Sequence, residues 1–434
     1  MGVSPTISKN WLRTFIIIWV GQSFSLFGSM LVQFALVWWL TQKTGSATIL
    51  ATASLVAYLP MVFLGPFAGA IVDRVNRKNV MILADALVAF TTLILVFITA
   101  YGQLAPWHIY AAMFLRSLGQ AFHYPAMQAS TSLLVPEEHL SRVAGINQAL
   151  NGAMNIIAPP SGALLIGVLQ LHWVLSIDII TAALAILPLL IVHIPQPVQV
   201  LTTVGKPIVS SILTDIKEGF LYVYRWKGLF YVLLFAILIN FLISPAFTLL
   251  PLLVTKHFHG TAIHYGWMES AIGIGIVIGG LGLGAWGGFK KKILTSSLGI
   301  AGMGLGALII GFAPGNLYWV GIAGVFVLGL MNPIANGPFF ALIQSKVDPG
   351  VQGRVMTMTS SITSGLTPLA LIIAGPLADR FGIQAWFVLG GILCLVISVL
   401  MGVIKVIFTL EDQSGDLVST TIPDQQLESA RLKI

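Results

Sequence analysis

The chain has 434 residues, of which 57% are hydrophobic and only 9% are charged, and its formal net charge is +7. Soluble proteins carry about 25% charged residues, so this surface cannot face water all round. The composition excludes a soluble enzyme, a nucleic-acid-binding protein and a disordered protein. The excess of Lys and Arg indicates basic cytoplasmic loops of a membrane protein. The single cysteine, Cys394, excludes an intrachain disulfide and a multi-cysteine metal site.

A helix needs about 20 apolar residues to cross a membrane. Twelve apolar stretches of this kind are predicted as membrane spans, at 13–39, 47–72, 79–101, 107–133, 142–168, 173–192, 228–254, 265–288, 293–313, 317–343, 354–374 and 384–408. The sequence therefore predicts an all-helical membrane protein with a six-helix bundle at 1–192 and a cytoplasmic loop at 193–227. A second six-helix bundle at 228–408 and a cytoplasmic tail at 409–434 follow.

The distribution of Lys and Arg orients these spans. With the N-terminus in the cytoplasm, 18 of them fall inside and 3 outside, while Arg116 lies within a span. Positive loops remain in the cytoplasm, so both termini are predicted there and the protein is placed in the cytoplasmic membrane. No P-loop sequence occurs, so ATP is not expected as the energy source.

One loop of the first bundle repeats in the second. Residues 135–143 match residues 347–355 in spacing, at an offset of 212 residues, and both loops follow the fourth span of their bundle. Pro125 and Pro338 lie at nearly the same offset. The repeat predicts two pseudo-symmetric halves, an architecture found in transporters.

The loop after the second span reads GAIVDRVNRK over residues 69–78. It resembles the signature G-x-x-x-D-R-x-G-R-K of the major facilitator superfamily. Asn76 takes the place of the last glycine, and Asn tolerates the left-handed backbone that a glycine provides. The matching residues are Gly69, Asp73, Arg74, Arg77 and Lys78.

The resemblance implies that this loop is a gate. Asp73 would accept hydrogen bonds from the N-terminus of the eleventh span, near Arg354, where the helix dipole favours an anion. The alternative is an ordinary positive loop. Residues 375–382, GPLADRFG, look like the same motif but are predicted outside. They are interpreted as a helix stop with a capped turn, and the alternative is a second gate.

Two spans carry further motifs of this family. Arg116 resembles its arginine motif in the fourth span, which implies proton relay or substrate contact; a buried structural ion pair is the alternative. Pro159 and Gly162 match part of its antiporter motif in the fifth span, with plain helix packing as the alternative. Small residues of the eighth span would pack there, namely Gly273, Gly275, Gly279 and Gly280.

The remaining ionisable groups inside spans are candidates for proton coupling. Glu269 is the first of these, because a carboxyl group in hydrocarbon prefers its neutral, protonated form; the alternative is a structural hydrogen bond. Asp85 is expected to anchor Arg74, Arg77 or Arg142, and Asp178 to cap its helix or to have a role at the membrane interface. His123 is either a packing residue or a proton relay.

Polar and aromatic side chains within the spans are candidates for an amphipathic substrate cavity, although each alone fits helix packing. They include Gln22, Phe24, Tyr58, Asn147, Asn151, Asn240, Phe241, Asn332 and Asn336. The cluster of His257, His259 and His264 has no nearby carboxylate, so no metal is expected there. No cofactor is expected either, and the proton is the predicted coupling ion.

Nearly the whole chain resembles the drug:proton antiporter branch that contains macrolide efflux proteins. Residues 39–47, 72–74, 116–123 and 133–138 carry this resemblance. It implies proton-driven export of a small amphipathic compound by a protein expected to be a monomer. Siderophores and lysophospholipids are alternative cargoes in the same superfamily. An intramembrane enzyme would need a reactive constellation that the spacing lacks, and a membrane sensor would need a soluble domain.

Overall fold

This computed structural model describes residues 11–192, 194, 220–347, 349–408 and 411. The first set of helices is α1 (Trp11–Thr44), α2 (Ala47–Val72), α3 (Arg77–Ala100), α4 (Pro106–Leu134), α5 (Glu137–Val168) and α6 (Leu171–Ile191). The second set is α7 (Lys227–Leu252), α8 (Ala262–Trp286), α9 (Lys292–Phe312), α10 (Tyr318–Lys346), α11 (Pro349–Phe381) and α12 (Ile383–Val403). A short helix, α13 (Lys405–Phe408), follows, and a π-helical turn (Leu253–His257) extends α7.

The structure confirms an all-helical membrane architecture. In the described part of the chain, 10 helices are long and apolar enough to cross a membrane. Helices α4 and α11, with 29 and 33 residues, are not among these 10. The polar residues of α4, Arg116 among them, lower its hydropathy, and α11 contains several side chains outside the described residues. Several helices exceed the predicted spans because their ends continue beyond the apolar stretch, as in α1 with 34 residues.

The predicted polar loop at 193–227 is partly helical. Residues 220–225 form a helical segment immediately before α7. This part of the connecting segment packs against the second set, because Val223 and Trp226 are buried in its core. The remainder of that loop, apart from residue 194, and the predicted tail 409–434, apart from residue 411, lie outside the described residues.

The same helix pairs pack together in both sets. In the first set, α1 packs on α5 and α6, α2 on α4, and α3 on α4 and α6. In the second set, α7 packs on α11 and α12, α8 on α10, and α9 on α10 and α12. The two sets meet where α5 packs on α8 and α2 on α11. We call this surface the seam.

Small residues allow helices to pack closely at the seam, but two of the four glycines predicted to face α5 contact a different helix. A Cβ added at Gly273 would lie 3.0 Å from Ile156 Cγ1 of α5, as expected. Gly275 and Gly279 instead face α10, where an added Cβ would meet the backbone of Leu330. Gly280 has no neighbour within 4 Å of an added Cβ among the described residues. Helix α8 therefore uses different glycine faces for α5 and α10.

Candidate functional site

A buried ion pair lies inside the first set of helices. Arg116 Nη1 donates to Asp178 Oδ2 (2.5 Å) and to Thr92 Oγ1 (2.6 Å), and Arg116 Nη2 donates to the carbonyl of Ser29 (3.3 Å). Ser29 Oγ and Thr92 Oγ1 donate to the two oxygens of the Asp178 carboxylate. The contacts join α1, α3, α4 and α6, as expected of a structural ion pair. The cap interpretation of Asp178 is wrong, because this residue lies two turns inside α6.

Asp85 of α3 has other partners than the predicted cytoplasmic arginines. Gln22 Nε2 of α1 donates to Asp85 Oδ2 (3.0 Å), and His123 Nε2 of α4 lies 3.5 Å from Asp85 Oδ1. Arg77, one of the predicted partners, binds Asp73 instead. Asp85 and Gln22 are buried, so the partners of this carboxylate come from neighbouring helices and not from the loops.

A cavity of about 360 Å³ lies beside this cluster in the first set. Trp19 Nε1 donates to Asn147 Oδ1 on its wall (2.6 Å). The predicted cavity residues Gln22, Asn147 and Asn151 all line it, together with Asp85 and His123. The first set therefore has an amphipathic cavity with one carboxylate, which we call the first cavity.

A second cavity, of about 300 Å³, lies mainly in the second set. Its wall includes the predicted residues Tyr58, Asn240, Asn332 and Asn336, together with Phe247. Apolar side chains from α7, α9 and α10 form most of the remaining surface, so this cavity suits the apolar body of a ligand.

Two predicted cavity residues lie elsewhere. Phe24 is 51% exposed, and Phe241 packs against the buried core of the second set. The prediction failed because Phe24 and Phe241 were selected by residue type alone. Apolar periodicity does not show which face of a membrane helix turns toward a cavity, since lipid-facing positions are apolar too.

A third cavity, of about 330 Å³, lies at the seam and contains Glu269 of α8 on its wall. Tyr265 Oη donates a hydrogen bond to Glu269 Oε1 (2.5 Å). The Tyr265 ring stacks on Phe34 of α1, with ring centroids 4.9 Å apart. Phe247 and Thr248 line both this cavity and the second, so the two are adjacent.

Tyr265 is a site residue that the sequence analysis missed. It lies four residues before Glu269, a spacing that places the two side chains on one face of a helix. This spacing is visible in the sequence and could have identified Tyr265 as a partner of Glu269. The contact is consistent with the structural alternative for Glu269, and the position on a cavity wall is consistent with proton access.

Pro159 and Gly162, the residues of the antiporter motif, have different neighbours. The carbonyl of Pro159 lies 3.0 Å from the position of a Cβ added at Gly266, so α5 and α8 are in close contact there. A Cβ added at Gly162 would lie 3.0 Å from the ring of Phe34 of α1. The motif thus packs α5 on both sets of helices, as the packing alternative requires.

The inner loop motif holds the first set together. Arg77 Nη2 donates to Asp73 Oδ1 (3.0 Å), and Arg77 Nη1 donates to the carbonyl of Ala129 (3.0 Å). Lys78 Nζ donates to the last carbonyls of α6, at Leu190 and Val192. The side chain of Asp73 is 65% exposed, and among the described residues no hydrogen bond joins it to α11.

Asn76 has a different role from the predicted one. Its φ is −67° and its ψ is 111°, so it is not in the left-handed region. Its side chain accepts a hydrogen bond from the backbone N–H of Asn79 and caps the N-terminus of α3. Asparagine is favoured at this position because its carbonyl satisfies a free N–H of the first turn. The side chain of Arg354 lies outside the described residues.

The outer motif makes a contact that the sequence analysis did not anticipate. Helix α11 ends at Phe381 and Gly382 follows with a φ of 86°, so the helix stop is confirmed. However, Asp379 caps α2 and not its own turn. Its carboxylate accepts hydrogen bonds from the N–H groups of Ala47 (2.7 Å) and Thr48 (2.9 Å). It also accepts from the hydroxyl groups of Ser46 (2.9 Å) and Thr48 (2.7 Å).

This contact changes the pKa of Asp379, which is exposed near the C-terminal end of α11, beyond its apolar stretch. Partial burial by itself would raise the pKa of Asp379 above its ordinary value of 3.8. The hydrogen bonds from Thr48, Ala47 and Ser46 oppose this effect and hold the pKa below that value. These bonds stabilise the charged carboxylate, as expected at a helix N-terminus.

The outer histidines make ordinary structural contacts. His257 Nε2 lies 2.7 Å from the carbonyl of Ala313, and His264 Nδ1 accepts a hydrogen bond from the N–H of Thr261 (3.1 Å). Within the described ranges, no group of three or more His, Cys, Asp or Glu side chains could hold a metal ion.

Comparison with known proteins identifies the family. A sequence model of the Major Facilitator Superfamily matches residues 18–370. The chain belongs to this superfamily. Macrolide efflux protein A of Streptococcus pyogenes is 37% identical over 406 residues, which cover 93% of this chain and 98% of that protein. The multidrug efflux pump Tap of Mycobacterium bovis is 27% identical over 370 residues, covering 81% and 84% of the two chains.

The fold agrees with that of solved transporters. The crystal structure of the nucleoside transporter NupG superimposes with a TM-score of 0.65 at 15% sequence identity, covering 92% of this chain and all of that one. At this identity the likeness concerns the fold alone. The family match and the relatives make the chain a multi-pass membrane transporter of the superfamily with macrolide and multidrug efflux relatives, which supports a role other than that of an enzyme.

Proposed function

We propose that this transporter exports amphipathic compounds of the macrolide type from the cytoplasm in exchange for protons, by alternating access. One observation carries the proposal: the cavity at the seam combines stacked aromatic rings with the carboxyl group of Glu269, next to the larger apolar wall of the second cavity. An amphipathic amine needs apolar surface for its body and an anion for its charged group. The name of the streptococcal relative supports the same class of compound.

The proposed architecture has twelve spans in two halves. Helices α4 and α11 complete the set of twelve. In its own half, α4 has the neighbours that α10 has in the other, and α11 has those that α5 has. The recurrence of the same helix pairs in both sets supports two related halves. The excess of Lys and Arg in the predicted inner loops supports cytoplasmic termini in the cytoplasmic membrane.

Both the proton and the cargo would use groups already present in one chain. Glu269 and Asp85 each line a cavity, so they have access to small ions. The proposal needs no cofactor, and a monomer suffices because the seam lies within the chain. Rocking of the two halves about the seam would expose the cavities to one side at a time.

The charge of the cavities favours drug-like cargo over siderophores. In the described part of the chain, no Lys or Arg lines any of the three cavities, whereas Asp85 and Glu269 do. A catecholate siderophore would need cationic partners to offset its buried negative charge. A neutral or cationic amphiphile does not have this requirement.

Accumulation assays in a pump-deficient bacterium test the proposal. Cells expressing the chain should accumulate less macrolide than cells with an empty vector, and an uncoupler should abolish the difference. A cationic dye and a siderophore are measured in parallel. Lower accumulation of the siderophore alone would contradict the macrolide assignment. Macrolide export that persists with the uncoupler would contradict the coupling to protons.

A further inference from the structure

Helices α2 and α11 end in the same short motif. Residues 69–74 and 375–380 both read G-x-x-x-D-R, one at the C-terminal end of α2 and the other at the C-terminal end of α11. The helices pack against each other at the seam. Gly375 lies beside Thr48, and Asp379 lies beside Ser46, so the last turn of α11 meets the first turn of α2. The helices are therefore antiparallel, and each motif lies at the same end of the pair as the N-terminus of the other helix.

The outer motif is engaged in this structure. A helix leaves its first N–H groups without partners inside the helix. In α2, the Asp379 carboxylate accepts from Ala47 and Thr48, while Ser46 Oγ accepts from Ile49 (3.4 Å). We call the bonds of Asp379 to Ser46, Ala47 and Thr48 the outer contact.

Close backbone approach accompanies the outer contact. A Cβ added at Gly375 would lie 2.8 Å from Thr48 Cα and 3.0 Å from Ala51 Cβ. The absence of a side chain at Gly375 thus allows α11 to lie directly against α2. Glycine and carboxylate act together: the glycine permits the approach, and the carboxylate one turn later binds the free N–H groups.

The glycine and the carboxylate of the inner motif make no such contact with α11 within the described residues. A Cβ added at Gly69 would meet nothing within 4 Å among the described residues. Asp73 binds Arg77 of its own loop, and its side chain is mostly exposed. Among the described residues, Asp379 therefore binds the N-terminus of the neighbouring helix, whereas Asp73, in the same motif, binds Arg77 beside it.

We propose that Asp379 is a positioning residue of the transport cycle that holds the outer ends of α2 and α11 together. In the opposite state, Asp73 makes the reciprocal contact with the N-terminus of α11. This inference rests on the proposed alternating access, in which the two halves move as rigid bodies and close one end of the seam at a time. The two carboxylates then act on one equilibrium with opposite signs.

Thiol labelling without any substrate tests this inference. In a Cys394→Ala background, Ser54→Cys places a reporter thiol on the wall of the third cavity. Position 54 lies on α2, further along the helix than the outer contact. A membrane-impermeant reagent added outside right-side-out vesicles reports how often the outer end is open. Asp379→Asn should speed labelling by about two- to thirtyfold, the range for loss of a charge at a helix N-terminus. Asp73→Asn should slow it, and the double variant should return toward the parent rate.

Matched variants separate the contact from general effects of charge or folding. Arg380→Gln changes the charge in the same turn without removing a bond to α2, so it should label at the parent rate. Thr48→Val removes one hydroxyl donor from α2 and should speed labelling even if the Asp379 variant inserts poorly. An unchanged rate in both Asp379→Asn and Thr48→Val would overturn the inference. An equal increase in Arg380→Gln would also overturn it, since the effect would then be one of surface charge.

The labelling assay and the transport assay can fail independently. A shift in labelling without macrolide export would leave Asp379 as a positioning residue and contradict the proposed cargo. Macrolide export with no shift in labelling would uphold the proposed function and contradict the reciprocal contacts.

Discussion

Arg116 and Asp178 form an ion pair, at 2.5 Å between Nη1 and Oδ2, in which the carboxylate is fully buried and the guanidinium nearly so. The pair lies between α4 and α6, and Thr92 and Ser29 add hydrogen bonds to both partners. A buried pair of this kind is costly to break, because removal of one partner leaves the other charge without compensation. Its four helices all belong to the first set, so the pair stabilises that set as one unit.

Replacement of Arg116 tests this role. Arg116→Ala should abolish export and lower the free energy of unfolding by about 3–5 kcal/mol, since Asp178 is left as an uncompensated buried charge. Arg116→Lys keeps the charge but loses the planar fork, so we expect little activity to remain. Thermal unfolding in detergent and export from cells measure the two effects.

A double variant provides the control. Arg116→Met with Asp178→Leu removes both charges and should fold better than Arg116→Ala alone. If it folds but does not export, the pair takes part in transport as well as in folding. A folded Arg116→Ala variant with normal export would contradict any need for the pair.

The sequence predicted the spans more accurately than the contacts between them. The apolar runs 265–288 and 293–313 lie within three residues of α8 (Ala262–Trp286) and α9 (Lys292–Phe312). Length and hydropathy suffice for this, because the bilayer sets both. Partners across helices are harder to predict: Asp85 binds Gln22, a residue 63 positions away, and Asp379 binds a helix 331 positions away. Apolar residues face both lipid and protein in a membrane, so the sequence pattern does not show which helix faces meet.

Asp73 provides a test of the inner motif. Asp73→Asn should destabilise the outward-facing state by about 0.3–2 kcal/mol, because an anion no longer faces the N-terminus of α11. Transport should fall while membrane insertion stays normal, as measured by export and by the amount of protein in membranes. Glu138→Gln, which removes an exposed carboxylate near the start of α5, should transport normally. Transport at the parent rate by Asp73→Asn would show that the motif is not a gate.

The pKa of Asp379 predicts the response of the outer contact to acid. Because the contact lowers this pKa, its stabilisation is present above the ordinary value of 3.8 and is lost only as the pH falls through the lower value. The outer contact should therefore be unaffected by an acidic exterior. The ratio of Ser54→Cys labelling rates with and without Asp379→Asn should be equal at about pH 5.5 and about pH 7.5. A ratio that approaches one at the lower pH would contradict this prediction.

Phe247 is the aromatic residue shared by the second and third cavities. Phe247→Ala removes apolar surface from both walls, and the loss of a buried aromatic side chain costs about 1.5–3 kcal/mol of ligand binding. Export of a macrolide should fall, with a raised KM as the main effect. Phe24→Ala is the matched control, since Phe24 is exposed and lines neither cavity. Equal effects of the two variants would place the cargo elsewhere.

Glu269 is the last and most specific test of coupling. An ionised carboxylate in hydrocarbon costs about 2.5–3.5 kcal/mol on the insertion scale, so Glu269 should hold a proton when its cavity is closed to cations. Opened to the outside, it would receive a proton; opened to the cytoplasm, it would release that proton and favour a cationic cargo. Glu269→Gln keeps the shape and accepts the same hydrogen bond from Tyr265, but it cannot titrate.

The Glu269→Gln variant should therefore bind substrate yet fail to concentrate it in vesicles that carry an imposed proton gradient. Tyr265→Phe removes the hydrogen bond but keeps the carboxyl group, so it should retain coupled transport at a changed rate. Glu137→Gln, at the start of α5, controls for general loss of an acidic side chain. If Glu269→Gln vesicles still drive substrate uphill with an inward proton flux, coupling occurs elsewhere. Asp85 is then the next candidate, because Asp178 is already paired with Arg116 whereas Asp85 lies beside His123 on a cavity wall.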